Sequence, residues 1–225
     1  MYIQVYPRIK ASFFVLLFLL LVVLFILISM NLFGMGFKKL GFPPEYSVYY
    51  LFMSLLGSYI NIPIKIVRSN VPVISARASD VLKEGVAASS LRMRSIIAVN
   101  LGGAIIPVIM SASLISMAMV NLVNVMIAVL IVSILIHTIA RPVRGSGIRI
   151  HALIPPLLVS AIALIISPQN APLIAYISGT LGCLIGIDIL NLKKIPDLGV
   201  PVVSIGGAGT FDAIFLTGIV SILLA

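Results

Sequence analysis

The sequence predicts an all-α fold: one polytopic transmembrane bundle of about seven spans, filling 1–225 as a single domain. Three observations predict it. Hydrophobic residues make up 61% of the chain and charged residues only 9%, where soluble domains carry about a quarter charged. Apolar runs of about 20 residues, enough to cross a bilayer, recur along the chain. Lys and Arg fall between those runs and collect on alternate connections, as the positive-inside rule requires.

The elements follow in order. The run 12–33 is too long for a signal-peptide core and passes into "NLFGMGFKK" without a small-x-small cleavage site, so it reads as a retained span. The second span, 46–64, is tyrosine-rich and suits an interfacial belt. A basic cytoplasmic loop, 65–94, follows. Within it "INIPIKIVRS" alternates like a short strand, and Ser79 could cap a short helix, but a basic surface segment touching anionic lipid is the favoured reading. Spans at 95–115, 119–139, 151–168, 171–191 and 203–224 complete the plan, with "SPQNAP" a tight turn between the fifth and sixth.

Arg8 and Lys10, six basic residues in 65–94, three in 141–149, and Lys193 with Lys194 fall on one side of this plan. Only Lys38 and Lys39 fall on the other. The N-terminus is therefore expected in the cytoplasm, the C-terminus outside, and the chain in the cell (plasma) membrane as a multi-pass protein. The net charge of +9 is scattered between apolar runs, which argues for topology signals and against nucleic acid. Cys183 is the single cysteine and excludes an internal disulfide. His137 and His151 lack ligand spacing and read as structural or interfacial. No cofactor or metal is expected.

Six acidic residues exist. Glu45, Asp80, Glu84 and Asp197 fall in loops or at span edges. Asp188 and Asp212 fall inside apolar segments, where a carboxylate costs roughly 2.5–3.5 kcal/mol and normally marks function. Asp188 is placed near the cytoplasmic end of the sixth span and Asp212 about ten residues into the seventh. The short connection "LKKIPDLGVP" makes these spans antiparallel neighbours, so the two carboxyl groups are expected to approach. Two carboxylates in one low-dielectric site share a proton. Such a pair suits an aspartyl hydrolase or proton and cation translocation.

The glycines Gly206, Gly207 and Gly209 just before Asp212 read as a broken helix or a close backbone approach, with small-residue helix packing as the competing account. Asn100 in "NLGGAIIP" belongs to another kinked small-residue helix, in which Pro107 frees a carbonyl. Pro155 and Pro156 in "HALIPPL" either start the fifth span or line a pocket.

The segments "SLLGSYINIPI", "NLGGAIIPV", "RPVRGSGIRIHALIPPL", "YISGTLGCLIGIDILNL" and "SIGGAGTFDAIFLTGI" together resemble a family of uncharacterised archaeal and bacterial integral membrane proteins, a domain of unknown function, over roughly residues 50–225. A fainter resemblance is to the intramembrane aspartyl proteases of the presenilin and signal-peptide-peptidase group. Its two motifs match "GIDILNLKKIPDLGVP" and "GAGTFDAIF", and so imply Asp188 and Asp212 as the catalytic pair. Here Thr210 and Phe211 separate the Gly-x-Gly from the acid, Ile187 stands for the group's tyrosine, and its later Pro-Ala-Leu helix is absent. The resemblance implies a presenilin-like protease or an inactive relative, acting on transmembrane peptides within the lipid bilayer. A small proton- or cation-coupled transporter using the same carboxylates, and a non-catalytic membrane subunit, are the alternatives.

Overall fold

The computed structural model describes residues 22, 26, 29–72, 92–117, 120–151, 153–207 and 211–225, with 70–72, 92, 93, 211 and 212 described for their backbone alone. Most of the first predicted span, the loop residues 73–91 with Ser79, and Gly209 lie outside the described residues.

The chain is mostly helical. Helix α1 covers 29–39, running past the predicted span end at residue 33, and α2 covers Tyr46–Gly57. Strands β1 (Asn61–Pro72) and β2 (Arg92–Asn100) follow, and a π-helical turn (Leu101–Ile105) leads into α3 (Ile106–Ser116). Next come α4 (Leu122–Ile139), a small hairpin of β3 (Arg141–Val143) and β4 (Gly147–Arg149), and α5 (Ile154–Ile166). Helix α6 (Ala171–Cys183) continues into a second π turn (Leu184–Asp188) and a 3-10 stretch (Ile189–Asp197). Strand β5 (Val202–Ile205) and α7 (Phe211–Leu224) close the described chain.

Among the described residues, two stretches are long and apolar enough to cross a membrane: Leu122–Ile139 and Pro168–Leu198. The expectation of seven spans is not supported. Helix α2 has 12 residues, α5 has 13 and α7 has 14, and at 1.5 Å per residue such helices cover only about 20 Å. For α2 and α7 the missing length went into strands. The predicted second span ends in β1, the third begins in β2 and the seventh begins in β5. An apolar run does not distinguish a buried strand from a buried helix; here the β-branched Ile96, Ile97, Val99, Val202, Val203 and Ile205 decide it, since they fit a pleated sheet.

The fold is therefore not purely α. A three-stranded sheet has the order β1-β2-β5, antiparallel between β1 and β2 and parallel between β2 and β5. Residues 65–72 and 92–94, expected within the basic loop, belong to paired strands, the alternative that the alternation of "INIPIKIVRS" had offered. Pro107 lies where the π turn runs on into α3 as one continuous helix, Leu101–Ser116, and the Gly102 carbonyl in that turn accepts from Ser54 Oγ at 2.7 Å.

Helix α6 is the axis of the molecule. Eleven of its residues, from Ala171 to Cys183, are buried, and one apolar core runs from Phe37 to Ile222 around it. Where α6 passes α4 the backbones nearly touch: a Cβ on Gly186 would lie 2.6 Å from the Ser133 carbonyl oxygen. Helix α4 differs, with only 28% of its residues buried. Its outer face exposes Leu122, Val123, Met126, Leu130 and Ile134, and no charged residue interrupts it.

Candidate functional site

The last residue of the α6 π turn is Asp188, and it is 4% exposed. A π turn widens the helix and releases backbone groups from their regular partners. Asn191, fully buried one turn on, meets them: its Nδ2 donates to Ile187 O at 2.8 Å and lies 3.2 Å from Gly186 O. His137 from the end of α4 joins them, with Nδ1 3.2 Å from both Gly186 O and Asn191 Nδ2.

A buried carboxylate needs donors. One is the backbone N–H of Gly206, which donates to Asp188 Oδ2 at 2.8 Å. Gly206 ends β5 with φ +70°, a left-handed conformation natural to glycine. It also lies flat on the other glycine-rich turn, where a Cβ would fall 2.6 Å from Gly103 C. The two parallel strands β2 and β5 thus each end in a paired-glycine turn that leads to a helix, and the turns sit back to back.

Asn100 holds the first of these turns together. It is 1% exposed, its Oδ1 accepts from Gly103 N at 2.8 Å, and its Nδ2 donates to Ser58 O at 2.6 Å and Asn61 Oδ1 at 3.0 Å. Ser204 of β5 donates to the same Asn61 oxygen at 2.5 Å. These bonds occupy Asn100 as a cap and a strand-end clasp.

Asp212 is the second residue of α7. The expectation that it lies about ten residues into a span is corrected, because 202–205 is strand and the helix begins only at Phe211. Its placement is a helix first turn, where the macrodipole favours negative charge. Gly207 follows Gly206 in the turn, while Gly209 and Thr210 lie outside the described residues. Pro155 and Pro156 form the buried first turn of α5 and do not line the Asp188 cavity.

That cavity measures about 70 Å³ and opens beside Asp188, between β5 (Val202, Val203, Ser204) and the β3–β4 hairpin (Ser146, Gly147, Ile148). It has room for a water or two. The hairpin is held over it by Gly145 N donating to Leu198 O at 2.7 Å. A family model described as "Protein of unknown function (DUF1614)" matches residues 55–224. The chain belongs to the DUF1614 family. Searches of curated proteins and of solved structures find no match. The matched region of this DUF1614 chain takes in both glycine turns, Asp188, Asp212 and the hairpin.

Among the described residues no three of His, Cys, Asp and Glu gather in a way that could hold a metal. Asn191 and His137 were not foreseen as neighbours of the acid-bearing turn. They are 54 residues apart in sequence, and no local spacing signals the contact.

Proposed function

We propose that this DUF1614 protein is a multi-pass membrane protein with a presenilin-like aspartyl protease site formed by Asp188 and Asp212. The observation that carries the reading is the 2.8 Å bond from Gly206 N to Asp188 Oδ2. It ties the acid-bearing turn of α6 to the glycine turn six residues ahead of Asp212. Membrane residence draws support from the uncharged, exposed apolar face of α4 and from the long buried stretch Pro168–Leu198.

Strand β5 adds a reason to prefer hydrolysis. Among the described residues it has one strand neighbour, β2, and its Val202 is 50% exposed. Its other side faces the small Asp188 cavity and the β3–β4 hairpin, so strand addition of an extended peptide there requires the hairpin to move aside. A peptide so held would run along the cavity at Asp188. In the reaction one ionised carboxylate takes a proton from water as its oxygen attacks the scissile carbonyl carbon, and the protonated carboxyl donates to the carbonyl oxygen. Collapse of the resulting diol breaks the C–N bond, and the departing nitrogen takes up a proton. One water is consumed.

The test is cleavage of a model transmembrane peptide by the full chain reconstituted in liposomes. Cleavage that falls at least about 100-fold in both Asp188→Asn and Asp212→Asn is expected. No cleavage by the parent, with no binding of an aspartyl-protease transition-state mimic, would overturn the reading. Solute uptake abolished by Asp212→Asn in the same liposomes would establish a transporter in its place.

A further inference from the structure

The β3–β4 hairpin sets two arginines directly opposite one another. Arg141 and Arg149 are partners in its ladder. Both line a cavity of about 680 Å³ together with Thr138 and His151; among the described residues the rest of its wall is aliphatic, with no Asp or Glu. Like charges directly opposite in a two-stranded ladder repel. The carboxyl end of α4, at Ile139, offers Arg141 a partial negative charge of about half an electron, too little for two guanidiniums. Arg149 turns its Nε and Nη2 to Ser146 Oγ, at 3.1 and 2.6 Å, which is a neutral acceptor. The amino end of α5 adds a further positive pole, since Ile154 stands on the cavity wall and no side chain caps that helix.

Apart from the carboxyl end of α4, the polar features of this concavity favour an anion, and its forked donors suit phosphate oxygens. Its surroundings specify the kind of phosphate. Thr138 continues the α4 face on which Ile131, Ile134 and Leu135 are exposed, so an aliphatic track leads directly out of the cavity. We propose that this cavity binds the phosphate headgroup of an anionic phospholipid, held between Arg141 and Arg149, with the acyl chains lying along α4. The proposal rests on the membrane reading and is independent of the protease reading.

The experiment is native mass spectrometry and thermal unfolding of the full chain in non-ionic detergent. The probes are phosphatidylglycerol, phosphatidylcholine and inorganic phosphate. Phosphatidylglycerol is expected to be retained about tenfold more than phosphatidylcholine, and Arg141→Gln or Arg149→Gln to remove most of that preference. Arg144→Gln, in the same hairpin but off the cavity wall, should keep it. Without lipid and at low salt, Arg149→Gln should melt no lower than the parent, because it relieves the like-charge pair; this also certifies its fold. Equal retention of the two lipids overturns the proposal. So does an Arg144→Gln loss as large as that of Arg149→Gln, which would mean general surface charge. Inorganic phosphate matching the lipid's stabilisation overturns the lipid assignment.

Discussion

The N–H of Gly206 donates to the carboxylate of Asp188 across 18 residues of sequence at 2.8 Å. This bond separates what Asp188 does for the fold from what it does in chemistry. Asp188→Asn keeps an oxygen for the Gly206 donor, so its melting temperature should stay close to the parent's. Asp188→Ala leaves the donor unpaired in the interior and should cost about 1–3 kcal/mol. Thermal unfolding in detergent reads both, and equal stability of the two variants would contradict this role.

Gly206→Ala should be among the most damaging single-methyl additions. The residue sits at φ +70° and its new Cβ would meet Gly103 C and O at 2.6 and 2.7 Å. Backbone cannot swing aside as a side chain can, so a loss of about 2–4 kcal/mol is expected. Expression with a parent-like melting temperature would count against the back-to-back glycine turns.

Asn100 acts through both ends of its amide. Asn100→Ala removes the cap on Gly103 N and both donor bonds, and should cost about 2–3 kcal/mol. Asn100→Asp retains the cap acceptor and loses the donors to Ser58 O and Asn61 Oδ1. It should fall between parent and alanine variant in chemical denaturation at neutral pH.

Lys39 reaches from the end of α1 to the end of α7, its Nζ donating to Ile222 O and Leu223 O at 3.1 Å each. A cation there meets the negative pole of the helix and two unpaired carbonyls. Lys39→Gln should loosen α7 locally by about 0.5–1 kcal/mol. Hydrogen exchange of the amides in 219–225 should accelerate, with those of α6 unchanged.

What could be read from the residues alone divides along a physical line. Asp188 was legible because a carboxylate in an apolar run is costly wherever it lies, and Gly206 because "GGAG" beside an acid implies unusual backbone. The strands were not. "SIIAVN" and "VVSI" are short, apolar and continuous with helical segments, so hydropathy joined them to spans, although their β-branching pointed the other way. Parallel pairing of β2 with β5 leaves no local mark, since its partners lie in distant segments. The same holds for His137 and Asn191, brought together by the close passage of α4 and α6. Pro155 and Pro156 carried two readings at the outset, and the structure gives them the plain one, a helix start.

The sheet also imposes an order on how the molecule is made. Strand β2 finds one neighbour quickly in β1, but its other edge waits for β5; the Ser95 to Val200 bond at that seam joins residues 105 apart. Contacts of such separation form slowly, because a long loop must close before they are rewarded. During synthesis β2 therefore carries an unpaired edge while α3 through α6 are laid down. The acid-bearing turn and the glycine turn meet only when that seam closes. Formation of the Asp188–Gly206 bond is thus a late event, and a nascent chain stalled before β5 would be prone to pair with the wrong strand.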